Sequence, residues 1–173
     1  LRAEYPGARD LARRGMEFEI MRRITSGRVV RAIALETAGN GKALVLEDFG
    51  GVSLAGVLAD RQPELAECLD IAIRIVEGLA AIHEQRIIHK DINPGNVIYA
   101  SGTGELRIAD FDIASMLTRE QPEILHPRRL EGTLSYMSPE QTGRMNRAID
   151  YRTDFYSLGV TLYELCTGLL PFR

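Results

Sequence analysis

The chain has 173 residues, 45% of them hydrophobic and 26% charged, with a formal net charge of -3. That length describes one domain able to bury a core, and the slight acidity gives no support to nucleic-acid or anionic-membrane binding as the main activity. No apolar run is long enough for a transmembrane segment, no secretory leader opens the chain, and Cys68 and Cys166 read as small buried side chains of a reducing, cytoplasmic protein.

From about Ala8 to Ile24, Leu11, Met16, Ile20 and Ile24 recur at helical spacing between Arg and Glu residues. Two strands are expected at Val29 to Leu35 and Lys42 to Glu47, joined by a turn over Thr37 to Gly41. Gly39 and Gly41 suit that hairpin better than a phosphate-cradling loop, because no third glycine follows. A short helix covers Leu54 to Asp60, and Pro63 opens a long one ending near His83. The apolar residues of the long helix cover so much of its surface that the sequence predicts a buried central helix, with His83 packing or capping its end. Val97 to Tyr99 and Leu106 to Ile108 flank a Ser-Gly-Thr-Gly turn, and residues 113 to 131 read as irregular. A last helix starts near Thr153 and Asp154 and stops before Gly168 and Pro171.

The stretch His89-Lys90-Asp91-Ile92-Asn93-Pro94-Gly95-Asn96 gathers an imidazole, a cation, a carboxylate and carboxamides where Pro94 and Gly95 forbid a regular helix. It resembles the catalytic loop of protein kinases, H-R-D-x-x-x-x-N, with the same Asp-to-Asn spacing. Ile108-Ala109-Asp110-Phe111-Asp112 stands where that family has its D-F-G segment, and Gly132-Thr133-Leu134-Ser135-Tyr136-Met137-Ser138-Pro139-Glu140 resembles the end of its activation segment. Asp150 to Val160 is similar to the D-x-x-S-x-G helix of the large lobe. Four motifs in the family's order carry the resemblance over nearly the whole chain.

The resemblance implies an α+β protein-kinase-like two-lobe fold. Residues 1–49 would hold part of the small lobe (its helix C and two strands). Residues 50–173 would hold the large lobe from helix D to helix F. The first three small-lobe strands, with their glycine-rich loop and lysine, would be missing, as would the helices after helix F. The only two lysines, Lys42 and Lys90, both follow helix C and cannot replace that lysine. The chain alone is therefore expected to be inactive or feeble.

The implied cofactors are ATP and Mg²⁺, with Mn²⁺ as an alternative, and the implied partner is a protein substrate. Asp91 would orient the acceptor hydroxyl and take its proton, and Asn96 and Asp110 would bind the metal. As isolated residues, Asn96 could equally make an Asx-turn and Asp110 a cap. Glu17, with Glu19 as rival, would be the acidic residue of helix C. Leu46 would be the gatekeeper and Glu47 to Phe49 the adenine-binding hinge. His89 and Asp154 would brace the loop, Thr133 would stand near the acceptor as in serine/threonine kinases, and Glu140 would meet an arginine of a later helix.

Three positions depart from the family. Lys90 replaces the usual Arg and loses its bidentate fork. Asn93 replaces a lysine that contacts the γ-phosphate, and Asp112 replaces glycine, placing a second carboxylate near Asp110. With these departures the chain resembles the amino-terminal kinase-like domain of large bacterial hybrid signalling proteins, which implies AAA-type ATPase, GAF and histidine kinase domains downstream. The rival is a pseudokinase that senses nucleotide without transferring phosphate. A small-molecule kinase is a further alternative, which Thr133 and the Ser-Pro-Glu segment disfavour.

Overall fold

The computed structural model describes residues 7–117, 134–142 and 147–172. Helix α1 (Ala8–Arg23) starts where the Gly7 amide donates to Asp10 Oδ2 at 3.2 Å, and it ends on Arg22 and Arg23. Both ends thus carry the charge sign that suits the helix dipole. Its buried face runs through Glu17, Ile20, Met21 and Ile24, whereas Met16 is exposed.

Strands β1 (Ala32–Ala38) and β2 (Gly41–Leu46) form an antiparallel hairpin against α1. Its turn is tighter than the sequence suggests: Thr37, Ala38 and Gly41 pair within the strands, and Gly39 at φ 58° supplies the left-handed position. Val29 and Val30 precede β1. Val29 makes an isolated parallel bridge to Ile108, and the Val30 amide donates to the Ile108 carbonyl at 2.9 Å.

A second sheet has the order β3 (Val52–Ser53), β5 (Val97–Ala100), β6 (Glu105–Ile108), all antiparallel. Ser53 caps helix α2 (Leu54–Asp60), its hydroxyl accepting the Gly56 amide at 3.2 Å. Helix α3 (Leu65–Glu84) begins two residues past Pro63 and buries Cys68, Ile71, Ile75, Leu79 and Ile82. Gly78 is required here, because a Cβ would lie 2.9 Å from Ile108 Cδ1 and 3.1 Å from the Arg28 carbonyl oxygen. The close approach sets α3 directly on β6. The core is completed by Leu54, Val97, Leu106, Phe111 and Leu165, and truncating a buried Ile such as Ile75 to Ala would cost about 2–5 kcal/mol.

Three expectations are corrected. The other face of α3 is open, with Leu65, Leu69, Ile73 and Val76 all exposed, because one helix flank can meet the sheet and the neighbouring helix while the opposite flank points away. Cys166 is exposed and only Cys68 is buried, its thiol donating to the Leu165 carbonyl at 3.4 Å. Within the stretch expected to be irregular, β7 (Ser115–Met116) pairs antiparallel with β4 (Ile87–Ile88). Helix α4 (Arg152–Thr167) ends on Gly168 at φ 69°, whose amide donates to the Glu164 carbonyl at 2.8 Å.

Candidate active site

The site is built on the turn between β4 and β5. Its base is Asp154, in the first turn of α4 and fully buried. One carboxylate oxygen accepts the Lys90 amide at 2.7 Å. The other accepts the His89 amide at 2.9 Å and lies 2.8 Å from His83 Nε2. Lys90 has φ 69°, a left-handed conformation that costs a non-glycine residue roughly 1 kcal/mol or more, and the charged acceptor holds its amide in that strained turn. The His83 ring also packs edge-on against Tyr151 and Phe155, so its place is defined by Asp154 and two aromatic rings.

His89 is fully buried with its ring edge-on to Phe111, centroids 4.7 Å apart. Its Nε2 lies 3.1 Å from the Ala109 carbonyl, and its Nδ1 is 3.3 Å from the Asp91 amide. A ring protonated on Nε2 serves both contacts, donating to Ala109 and accepting from Asp91. The imidazole therefore joins the 89–96 loop to the Asp110 segment.

Both carboxylate oxygens of Asp91 are held by carboxamides. Asn93 Nδ2 donates to Oδ1 and Asn96 Nδ2 donates to Oδ2, each at 2.9 Å. The same two amides also reach the Asp91 carbonyl, at 3.1 and 2.9 Å. Asn93 Oδ1 accepts the Gly95 amide at 2.8 Å, so the Asn93 carboxamide is committed within its own loop. Burial pushes the Asp91 carboxyl above its ordinary range. Asp110 adds in that direction, while His89, Asn96 and Asn93 pull against it. A partly buried carboxylate of raised basicity, fixed at both oxygens, suits a group that accepts a proton.

Asp110 is exposed and sits at φ 63°. Its Oδ1 accepts the Asp112 amide at 3.2 Å, and the Ala109 amide donates to the Asn96 carbonyl at 2.8 Å. Phe111 between them is buried in the core. The fit to Mg²⁺ lies in the donor chemistry: Asn96 spends its NH₂ on Asp91, which leaves its carbonyl oxygen, and Asp110 offers an exposed carboxylate nearby. Both are hard oxygen donors that suit a cation keeping several waters. Among the described residues there is no cluster of three or more His, Cys, Asp or Glu placed to hold a metal alone.

Helix α1 faces this segment. Glu17 is buried and pairs with Arg14 at 2.6 Å, whereas Glu19 is exposed on the helix surface. Burial raises the Glu17 carboxyl, with Arg14 opposing and Asp112 and Asp110 reinforcing. Arg13 Nε lies 2.7 Å from Asp112 Oδ1. A concavity of about 310 Å³ beside α1, lined by Met16, Glu19, Ile20 and Met116 among others, includes neither Glu17 nor the Arg13–Asp112 pair.

At the candidate hinge, Leu46 ends β2 half exposed and paired with Ala32. The Glu47 amide donates to the Arg31 carbonyl at 3.0 Å, and its side chain accepts the Arg31 amide at 2.7 Å and meets the Arg107 guanidinium. Partial burial would raise the Glu47 carboxyl, but hydrogen bonds from Arg107 and Arg31 outweigh it and hold it low. Arg107 also lies over the Phe49 ring, 4.6 Å from its centroid.

Below the loop, Glu140 accepts the Thr153 hydroxyl at 2.9 Å. Thr133 lies outside the described residues. Gln141 was not singled out from the sequence, yet its Nε2 donates to the Lys90 carbonyl at 2.8 Å and its Oε1 accepts the Ser138 amide at 3.1 Å. Ser157, the serine of the D-x-x-S-x-G motif, donates its hydroxyl to the Tyr136 carbonyl at 2.7 Å. Thr161, not singled out from the sequence, donates to the Ile92 carbonyl at 3.3 Å, and its inward place at helical spacing from Ser157 is the signal that could have pointed to it.

The sequence that builds this loop matches the protein kinase domain over residues 6–173, and the chain belongs to that family. A probable serine/threonine-protein kinase of Clostridium perfringens is 30% identical over 175 residues, covering 100% of this chain and 25% of that protein. A serine/threonine-protein kinase of Myxococcus xanthus is 37% identical over 147 residues, covering 83% of this chain and 18% of that protein. PknL, a serine/threonine-protein kinase of Mycobacterium tuberculosis, is 32% identical over 163 residues, covering 94% and 40% respectively. The chain thus spans a quarter or less of the length of the first two relatives. No helix among the described residues is long and apolar enough to cross a membrane.

Proposed function

We propose that the chain is the catalytic part of an ATP-dependent serine/threonine protein kinase, passing the γ-phosphate of ATP to a hydroxyl of a protein substrate. The observation that carries this reading is the Asp91 carboxylate, held at both oxygens by Asn93 and Asn96 at 2.9 Å. A scaffold has no need of a raised, fixed carboxylate whose second neighbour, Asp110, is exposed.

In this reading Asp91 orients the acceptor hydroxyl and takes its proton. Asn96 and Asp110 hold Mg²⁺, which would neutralise the phosphates of ATP when bound. Leu46, Glu47 and Phe49 border the adenine site, where Arg107 fixes the Glu47 side chain and leaves backbone groups to meet the base. Glu17 belongs to the α1 face that orders the phosphate side. Asn93 serves the site through Asp91 rather than through phosphate, because its carboxamide is spent on Asp91 and Gly95. Asp154 and His89 set the loop's backbone, Thr133 stands near the acceptor, and Glu140 secures its segment on Thr153. Residues 1–49 and 50–173 would form the parts of two lobes, in a cytoplasmic hybrid signalling protein with ATPase, GAF and histidine kinase domains.

The test is transfer of radiolabelled phosphate by the full-length protein with Mg²⁺ or Mn²⁺, against its Asp91→Ala variant. Label on serine or threonine that disappears in the variant is the expected result. Nucleotide binding without transfer in the unaltered protein would overturn the reading in favour of a pseudokinase.

A further inference from the structure

The Asp110-Phe111-Asp112 segment is pinned on two sides. Phe111 is 1% exposed in the core against His89. Asp112, where the family has a residue without a side chain, reaches the other way to α1. Its Oδ1 is 2.7 Å from Arg13 Nε, and its side chain is 9% exposed against 39% for Arg13. Immediately before these anchors sits Asp110, left-handed at φ 63°, whose Oδ1 accepts the Asp112 amide at 3.2 Å. The position of residue 112 is therefore felt directly by the Asp110 carboxylate.

On α1, Arg13 lies one turn before Glu17 and on the same face. Most of that helix packs on β1 and β2 through Ile20 and Met21. Among the described residues, polar contacts between it and the 110–116 segment include the Arg13–Asp112 pair and a bond from Arg23 to Met116 Sδ at 3.5 Å. The ion pair is the stronger of the two, because it joins groups of opposite sign and one of them is nearly removed from water.

We propose that Arg13 and Asp112 are a positioning pair that fixes α1 to the Asp110 segment, making the placement of the helix and of the metal-binding carboxylate one variable. This rests on the kinase reading for its effect on turnover. Asp112 acts here as a strut to α1 and not as a metal ligand.

The experiment compares the full-length protein with Arg13→Gln, Asp112→Asn, the double variant, and the exchanged pair Arg13→Asp with Asp112→Arg. Two readouts are taken: kcat and the KM for ATP at several Mg²⁺ concentrations, and hydrogen exchange of the amides of α1 and residues 110–114 in the ligand-free protein. Each single variant is expected to lower kcat about tenfold and to speed exchange in both segments, with α3 unaffected. The double variant is expected to be no worse than either single one, since coupled contacts are not additive. The exchanged pair should recover most of the loss.

Additive effects, or exchange that changes in one segment alone, would overturn the proposal. So would a raised Mg²⁺ requirement in Asp112→Asn that Arg13→Gln does not share, which would make Asp112 a metal ligand. If the unaltered protein transfers no phosphate, the kinase reading fails, and the exchange data still decide the pair.

Discussion

Replacing Asp154 by Asn tests whether charge, rather than shape, holds the candidate catalytic loop. The two side chains are nearly isosteric, so packing around the fully buried position is preserved. Asp154 accepts three contacts: the Lys90 amide at 2.7 Å on one oxygen, and the His89 amide at 2.9 Å and His83 Nε2 at 2.8 Å on the other. In its better orientation Asn keeps the oxygen that serves two of them and turns an NH₂ toward the Lys90 amide, a donor facing a donor. A hydrogen bond to a charged acceptor contributes about 1.5–3 kcal/mol, and a buried unpaired donor costs about 1–3 kcal/mol. A loss of about 3 kcal/mol is therefore expected, lowering the midpoint of a domain of this size by about 6–12 °C. Asp154→Ala should lose more, since no acceptor remains for either amide, and transfer activity should fall in both variants as Lys90 leaves its strained turn. Thermal and urea unfolding of the full-length protein would check this. The control is Asp150→Asn, which removes an ion pair with Arg152 yet keeps an oxygen for the Arg152 amide, and should lower the midpoint much less. An Asp154→Asn midpoint within about 1 °C of the unaltered protein would refute the reasoning.

Asn93→Ala removes one of the two clamps on Asp91 and is expected to lower kcat by about tenfold with the KM for ATP unchanged, because about 1–1.5 kcal/mol of positioning is lost. A rise in KM alone would show Asn93 on the nucleotide instead. Arg107→Ala releases Glu47 and the Phe49 ring and should cost about 1–2 kcal/mol at neutral pH by urea unfolding. Since Glu47 is held below its ordinary pKa, the pair's contribution is present above the unfolded value of about 4.3. It is lost as pH falls through the lower folded value, so the gap between variant and parent should close in acid; a gap independent of pH would assign the loss to packing. Gly78→Ala raises helix propensity by about 1 kcal/mol yet should destabilise, because its Cβ would lie 2.9 Å from Ile108 Cδ1 and 3.1 Å from a backbone oxygen. A higher melting temperature would show that α3 can shift off β6.

The local chain chemistry determined much of this protein. Periodic apolar residues specify α1, and start and stop residues specify α4, to within a residue or so, since helix formation and capping are decided within a few positions. The turn residues fix the β5–β6 hairpin, and Pro94 and Gly95 guarantee that Asp91, Asn93 and Asn96 share one loop. Tertiary structure decided what those side chains touch. The sequence places Asn93 where a phosphate contact is expected; the fold turns its carboxamide onto Asp91, because the acceptor and the Gly95 amide are both within its reach. Composition makes α3 look buried all round, but one helix has only the neighbours the fold gives it, and Leu65, Leu69, Ile73 and Val76 are left facing outward. Gln141 on Lys90, Asp154 under the loop and Arg13 on Asp112 join residues 51, 64 and 99 positions apart. Their partners lie on other elements, so no local pattern encodes them; the family resemblance anticipated only Asp154 under the loop, and packing sets α4 against the 89–96 loop and α1 against the 110–112 segment.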